Sequence, residues 1–404
     1  MNSAGARRPV LVCVFGTRPE AIKMAPVVRE LSRRSSPFDC RVVVTAQHRE
    51  MLDQVLELFG ILPDFDLDLM QEGQTLTDIT VRALRGLEEV YARVRPDLVL
   101  VHGDTTTTFA GALAAFYRQI PIGHVEAGLR TRNKYAPFPE EMNRHLTGVL
   151  TDLHFAPTAT AADNLRREGV SEDRIFITGN TVIDALLSTV RSDYRFSDTR
   201  LAGIDYRQRV ILLTAHRREN WGAPMERIFR ALRRVVERHP DVLVVYPVHK
   251  NPEIRRLVAR ELAGLARVVT CEPLDYASLV NLMARVYLVL TDSGGLQEEA
   301  PALGKPVLVL RETTERPEAL AAGTARLVGT AEDKIVEELE RLLTDQEAYH
   351  RMATAINPYG DGRAAGRIRQ ALEYYFGLRQ RRPRAFSPAF AHKKVAGRKD
   401  SVSW

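Results

Sequence analysis

Residues 286–311 read VYLVLTDSGGLQEEAPALGKPVLVLR. An apolar, β-branched run ends in Thr-Asp-Ser-Gly-Gly, a segment of helical character follows, and a second apolar run closes the stretch. Continuous apolar strands, without polar alternation, belong to sheets covered by helices on both faces. Strand–helix–strand alternation makes the sheet parallel, with right-handed crossovers. The same pattern runs outward in both directions. Upstream lie VLVCVF (10–15), RVVVTA (41–46), DLVLVHG (97–103), IPIGHVE (120–126), LHFAPT (153–158) and RIFITG (174–179). After Asn180-Thr181 come RVILLTA (209–215), VLVVYPVH (242–249), RVVTCEP (267–273), the opening pair and ARLVG (325–329).

A chain of 404 residues exceeds one ordinary core. The fold class expected is therefore α/β, with two Rossmann-like, doubly wound parallel-sheet domains facing a central cleft. The first domain is placed at 9–182 and completed by a helix at 361–378 after the breaker NPYG; the second is placed at 183–360. Residues 379–404 are expected to be a disordered basic tail. That tail holds eight lysines and arginines against one aspartate, more than the whole net excess of +6. The folded body is thus near neutral, which argues against nucleic acid as a partner. Cys13, Cys40 and Cys271 sit inside strand-like runs without C-x-x-C spacing, as expected of packed thiols in a reducing compartment. No apolar stretch approaches the roughly 20 residues of a membrane helix, and the short PVLVCVF run lacks a cleavage site. A cytoplasmic location is the expectation.

Ligands of open parallel sheets bind beyond the carboxyl ends of strands, and the unusual polar residues cluster there. FGTRPEAIKMAP (15–26) turns at Gly16 and sets Arg18 and Lys23 at the start of a helix, a combination suited to an anion. HGDTTTT (102–108) presents Asp104, which as an isolated residue reads equally as a helix cap. HVEAGLRT (124–131) presents Glu126, a carboxylate that close to an apolar run needs a partner or a role. PFPEEMNR (137–144) adds Glu140, with first-turn helix chemistry as the bland reading. Carboxylates beside phosphate-binding cations suit proton transfer on a phosphorylated substrate. In the second half, TAHRREN (214–220) gives His216 and Arg217, and YPVHKNP (246–252) gives His249. In TDSGG, Ser293 suits an N-cap, and the amides of Gly294 and Gly295 suit a diphosphate. A glutamate one turn on would repel phosphate but accept hydrogen bonds from a ribose diol. Glu299, with Glu298 as competitor, therefore suggests a nucleotide; a capped helix with a charged face is the bland alternative. There is no metal-ligand spacing, P-loop or G-x-G-x-x-G.

These blocks, with TAQHREMLDQ (45–54), GNTVIDAL (179–186) and the whole 291–319 segment in order, resemble the non-hydrolysing UDP-N-acetylglucosamine 2-epimerases over about residues 10–378. The resemblance implies a glycosyltransferase-B-like pair of Rossmann domains, usually homodimeric. It also implies interconversion of UDP-GlcNAc and UDP-ManNAc without NAD or metal, supplying ManNAc for surface polysaccharide. It carries catalytic roles to Asp104, Glu126, Glu140 and His216, and UDP-sugar binding to Arg18, Lys23, Ser293, Gly294, Gly295 and Glu299. It implies loss of UDP from C1 with the C2 proton, giving 2-acetamidoglucal, and re-addition of UDP with a proton on the other face. In many bacterial relatives a second, allosteric UDP-GlcNAc meets residues matching Gln47, Glu140, Arg217 and His249, and an arginine of an M-x-E-R-Q block. Here that block is MQEGQ (70–74), with Gly73 in the arginine's place. Activation is expected to be weak or absent. Other readings are a hydrolysing 2-epimerase, an epimerase of a modified UDP-HexNAc, and a glycosyltransferase or silent nucleotide-sugar binder of the same fold.

Overall fold

The computed structural model describes residues 7–46, 49–71 and 73–388. They form two units, one holding the described residues up to Ala185 and those from Tyr359 on, the other Leu186–Pro358. The first unit's sheet comprises β1 (Val10–Phe15), β2 (Asp39–Val44), β3 (Phe65–Asp66), β4 (Leu98–His102), β5 (Ile122–Val125), β6 (Leu153–Ala156) and β7 (Ile175–Ile177). The second comprises β8 (Arg209–Thr214), β9 (Val242–Pro247), β10 (Val268–Cys271), β11 (Leu288–Thr291), β12 (Val307–Val309) and β13 (Ala325–Leu327). The spatial orders are 3-2-1-4-5-6-7 and 10-9-8-11-12-13, and all pairs are parallel. The chain therefore reverses direction across each sheet between β1 and β4, and again between β8 and β11. Both reversals are the switch points at which such sheets bind ligands.

Apolar runs put the strands in the middle of each unit. Leu11 through Phe15 and Leu98 through Val101 are fully buried, as two-sided helical cover requires. The helix Leu76–Val94 buries Ala83, Leu87 and Tyr91, beside a helix, Thr106–Tyr117, whose buried positions are small: Ala110, Gly111, Ala112, Ala114 and Ala115. A Cβ on Gly111 would stand 3.2 Å from Val101, and the Tyr91 hydroxyl donates to the Gly111 carbonyl at 3.3 Å. In the second unit, Met225, Ile228, Phe229, Leu232 and Val235 of the helix Ala223–Arg238 share one core with Ile211, Val244 and Leu290.

Two features depart from the sequence reading. The edge strand β3 was not expected, because two residues in an Asp-rich stretch carry no strand period. The tail, expected to be free from 379, is partly built into the first unit. The last helix, Ala364–Tyr375, is capped by Asp184, which accepts from the Ala364 and Ala365 amides at 3.0 and 2.9 Å. Arg369 of that helix pairs with Glu30 at 2.9 Å. Beyond it, Phe386 is buried and its amide donates to the Ile177 carbonyl at 2.8 Å. The Arg382 guanidinium lies 4.4 Å from the Phe176 ring centroid. Buried aromatic surface and the open edge of β7 hold the basic segment despite its charge. The rest of the tail, 389–404, lies outside the described residues.

Strands β4, β5 and β6 carry His102, His124 and His154, all buried, with His124 and His154 in register. Burial pushes His102 and His124 down to about 4 and His154 to about 3. The unfolded chain takes up these protons near pH 6.5, whereas the folded chain resists until about pH 4. Between those values the unfolded state binds more protons, so stability falls as pH falls. Asp184, raised to about 6 by burial, acts in the opposite sense, with one proton against three. Moving from pH 7 to pH 5 is expected to destabilise the first unit by about 1–2 kcal/mol per histidine, read as a lower urea midpoint. An unchanged midpoint over that range contradicts the reading.

Candidate active site

At the first switch point, β1 ends in Gly16-Thr17 and the helix Arg18–Leu31 begins. A Cβ on Gly16 would come within 1.9 Å of the Thr45 hydroxyl and 2.7 Å of that of Thr107, so only glycine lets the chain pass there. Glu20, buried at the helix start, accepts from the Gly16 and Thr17 amides at 3.0 and 2.7 Å. Its other oxygen accepts from the Thr105 and Thr108 hydroxyls at 2.6 and 3.1 Å. One carboxylate thus ties the loop after β1 to the loop after β4. Burial raises the Glu20 carboxyl, and these hydrogen bonds oppose the rise. Glu20 was not singled out in the sequence; its signal is the Thr-x-x-Glu spacing of a capping box.

Around that frame the expected carboxylates come together. Glu126 follows β5 with φ of 65°, a left-handed conformation that costs a non-glycine residue energy. Its side chain is ion-paired with the Lys23 ammonium and accepts from the Asn180 amide at 2.9 Å. Asp104 follows β4 and is paired with Arg144, and its backbone carbonyl accepts from Asn143 at 3.0 Å. Burial pushes the Asp104 carboxyl up; Arg144 and Lys23 oppose this, and the negative charges of Glu126 and Glu140 add to it. That mutual influence places Asp104, Glu126, Glu140 and Lys23 in one electrostatic neighbourhood. One oxygen of Glu140 is buried without a hydrogen-bond partner among the described residues. The adjacent Glu141 is structural: it accepts from the Thr131 and Arg132 amides at 3.0 and 2.9 Å. Arg18 opens its helix half-buried, with no ion-pair partner among the described residues. Lys23, expected as a substrate cation, is engaged with Glu126.

The second switch point repeats the device with another residue. Asp292, fully buried at the end of β11, accepts from the His216 and Arg217 amides, both at 2.9 Å, and from the Asn220 side chain at 3.1 Å. Its remaining oxygen stands 3.3 Å from His216 Nδ1. The His216 ring is half exposed, with Nδ1 on the side of the carboxylate, although that oxygen has no hydrogen-bond partner among the described residues. Sequence reasoning passed over Asp292, although an acid directly after an apolar strand was a signal of the kind read at Glu126.

The helix after Ser293, Gly294–Ala302, has no side-chain cap. The Ser293 amide itself donates to Thr291 at 2.9 Å, and the first helical amides are left for an anion. The two adjacent glutamates part company. Glu298 is paired with Arg316, whereas Glu299 accepts from the Tyr276 hydroxyl at 3.0 Å. A Cβ on Gly295 would lie 3.7 Å from Glu299 Oε2 and 3.9 Å from the Ser293 hydroxyl. Glu299, not Glu298, therefore borders the glycine turn. A Cβ on Gly294 would stand 3.8 Å from the Arg217 guanidinium, so that cation also lies at the helix start. His249 is exposed after β9, with Nδ1 accepting from the Asn251 amide at 3.2 Å. Gln47 lies outside the described residues. Among those residues no cluster of three or more His, Cys, Asp or Glu could hold a metal, and no helix is long and apolar enough to cross a membrane.

Residues 29–373 match the family described as UDP-N-acetylglucosamine 2-epimerase. The chain is 56% identical over 377 residues to the UDP-N-acetylglucosamine 2-epimerase of Bacillus subtilis, covering 93% of this chain and 98% of that protein. To the enzyme of Escherichia coli O157:H7 it is 57% identical over 370 residues, covering 90% and 98%. Among solved structures, the UDP-GlcNAc 2-epimerase of Neisseria meningitidis bound to UDP-GlcNAc superposes with a TM-score of 0.81 at 47% identity, covering 91% of this chain and all of that one. A glycotransferase of kitacinnamycin, at 13% identity and a TM-score of 0.62, shares the fold alone. With identity above one half along nearly the whole chain, and the same paired parallel sheets, this protein belongs to the UDP-N-acetylglucosamine 2-epimerase family.

Proposed function

We propose that the chain is a non-hydrolysing UDP-GlcNAc 2-epimerase that interconverts UDP-GlcNAc and UDP-ManNAc in the cytoplasm, without a redox cofactor or metal, and supplies ManNAc units for polysaccharide. The observation that carries the proposal is that Asp104 feels the charges of Glu126, Glu140 and Lys23 together, with Lys23 ion-paired to Glu126. The C2 proton of UDP-GlcNAc is not activated by a carbonyl, so its simple removal is too slow to be useful. In the proposed route the C1–O bond to UDP breaks as the C2–H proton passes to a carboxylate, leaving 2-acetamidoglucal. UDP then adds back to C1 while a carboxylic acid returns a proton to the opposite face of C2. The exchange calls for one group to take the proton and one to return it. Asp104 has its carboxyl raised by burial, and Glu126 is held beside a cation.

In the second unit, the Gly294 and Gly295 amides and the dipole of their helix receive the diphosphate. Glu299, oriented by Tyr276, accepts from the ribose hydroxyls. Arg217 supplies charge at the helix start. His216, with Asp292 behind its Nδ1, presents Nε2 to the departing phosphate and stabilises charge there. Arg18 supplies a further cation at the start of its helix. In the Methanocaldococcus jannaschii relative, a complex with UDP-GlcNAc and UDP supports a nucleotide-sugar substrate.

Incubation with UDP-GlcNAc in deuterated water, followed by NMR, separates the readings. Epimerisation yields UDP-ManNAc deuterated at C2, a hydrolysing enzyme yields free UDP, and a transferase or silent binder incorporates no deuterium. Asp104→Asn and Glu126→Gln are each expected to slow exchange at least about 100-fold; full activity in either removes its catalytic role.

Gly73 stands where a regulatory arginine is expected, so a second sugar nucleotide loses a charged phosphate partner. Initial rates against UDP-GlcNAc are expected to be hyperbolic, and a steeply sigmoidal curve overturns this. A homodimer is also proposed, on the strength of Phe116 and Tyr117 on one helix and Leu146 and Val149 on the neighbouring helix Glu140–Leu150, all exposed. Val149→Asp is expected to shift sedimentation from dimer to monomer; a monomeric parent protein contradicts the proposal.

A further inference from the structure

His102 is the last residue of β4 and one residue before the Gly103-Asp104 turn. Its side chain is 3% exposed, and among the described residues neither ring nitrogen has a hydrogen-bond partner in another residue, the ring approaching only its own backbone. Every other residue of β4 is leucine or valine, so packing alone asks for no imidazole there. A buried polar group left unpaired is costly, and native proteins retain few of them. The ring does have a neighbour just beyond hydrogen-bond reach: Nε2 lies 3.7 Å from Glu126 Oε2. Hydrogen bonds among catalytic groups are often long in the free enzyme and tighten when substrate binds.

The surroundings suit a neutral donor rather than a second cation. Glu126 Oε1 already meets the Lys23 ammonium and the Asn180 amide. Another full charge on Oε2 would suppress the basicity needed to take a proton from C2. The charged and titratable groups bearing on this pair are Lys23 from the first helix, Asp104 from the turn after β4, and His124 from β5. His124 Nε2 meets the Gly103 carbonyl at 2.7 Å, so it braces the turn and does not compete for Glu126. Burial keeps His102 uncharged across the working range. The left-handed backbone at Glu126 and the absence of a side chain at Gly103, whose Cβ would stand 3.5 Å from Oε2, aim the carboxylate into this corner.

We propose that His102 is a positioning residue for Glu126, donating its Nε2–H to Oε2 in the substrate complex and fixing the orientation of that carboxylate. The inference rests on the assignment of Glu126 as a proton-transfer group. Because the donor favours the ionised carboxylate, its loss moves the acid limb of kcat/KM to higher pH.

The test compares His102→Phe, His102→Gln and His102→Asn in the full chain, reading kcat, KM and the pH profile of UDP-GlcNAc epimerisation. Phenylalanine keeps the volume and is expected to lower kcat about tenfold with KM nearly unchanged, and to move the acid limb up by about one pH unit. Glutamine carries its amide nitrogen near the Nε2 position and is expected to restore most of the rate and the parent limb. Asparagine, whose amide reaches only the Nδ1 position, is expected to behave like phenylalanine. Should phenylalanine fail to fold, the contrast between glutamine and asparagine distinguishes the same two outcomes. Glu126→Gln, run in parallel, reads the underlying assignment separately. If it still exchanges deuterium, the role of Glu126 fails and the inference with it. If it is inactive while the acid limb stays fixed in all three histidine variants, or glutamine is no better than asparagine, the inference alone is overturned.

Discussion

A buried carboxylate that accepts backbone amides and ties two loops together at a chain reversal organises each half of this protein. In the first unit it is Glu20, which takes the Gly16 and Thr17 amides and two threonine hydroxyls from the facing loop. In the second it is Asp292, which takes the His216 and Arg217 amides and the Asn220 side chain. At each switch point two loops leave adjacent parallel strands in diverging directions, and their amides need acceptors away from water. A single carboxyl side chain meets that need and brings the loops together. Without it, the residues proposed to face substrate would sit on independent loops rather than on one frame.

The functional groups hang on these frames in two ways. Asp104, Glu126 and Lys23 are side chains placed directly by the ends of β4 and β5 and by the first helix, so their geometry is inherited from the sheet. The elements proposed to bind the nucleotide in the second unit are largely backbone: helix amides at a glycine turn. That division suits the proposed chemistry. Proton transfer needs side chains whose affinities can be tuned by burial and by neighbouring charge, whereas a departing diphosphate needs fixed dipoles that do not titrate.

Most of the fold was legible because parallel strands buried on both faces leave an unbroken apolar signature that does not depend on distant partners. Twelve strands carry that signature. The thirteenth, β3, does not, since its Phe-Asp pair has no period and is a strand only because the β2 edge is there to pair with. The packing of Phe386 and Arg382 on β7 escaped for the opposite reason: local charge and proline outweighed one aromatic residue whose partner lies more than 200 positions away. Among the site residues, those directly after apolar runs stood out, because an acid or histidine there is anomalous in place. Arg144 and Tyr276 in their helices, and Asn180 in the loop before one, are locally ordinary and acquire a role only from what they face.

Local sequence by itself determined where the strands end, that glycines turn the chain there, and that carboxylates, a histidine and cations stand at those ends, since each follows from periodicity and backbone sterics within a few residues. Tertiary structure alone decided which of two adjacent glutamates borders the glycine turn and which is consumed by Arg316. It also decided that Lys23 braces Glu126, and that His102 stops just short of the same carboxylate. Those outcomes turn on ångström-scale distances between segments about 20 to 100 residues apart, set by strand register and helix packing. Neither composition nor spacing encodes such distances until the sheets have formed.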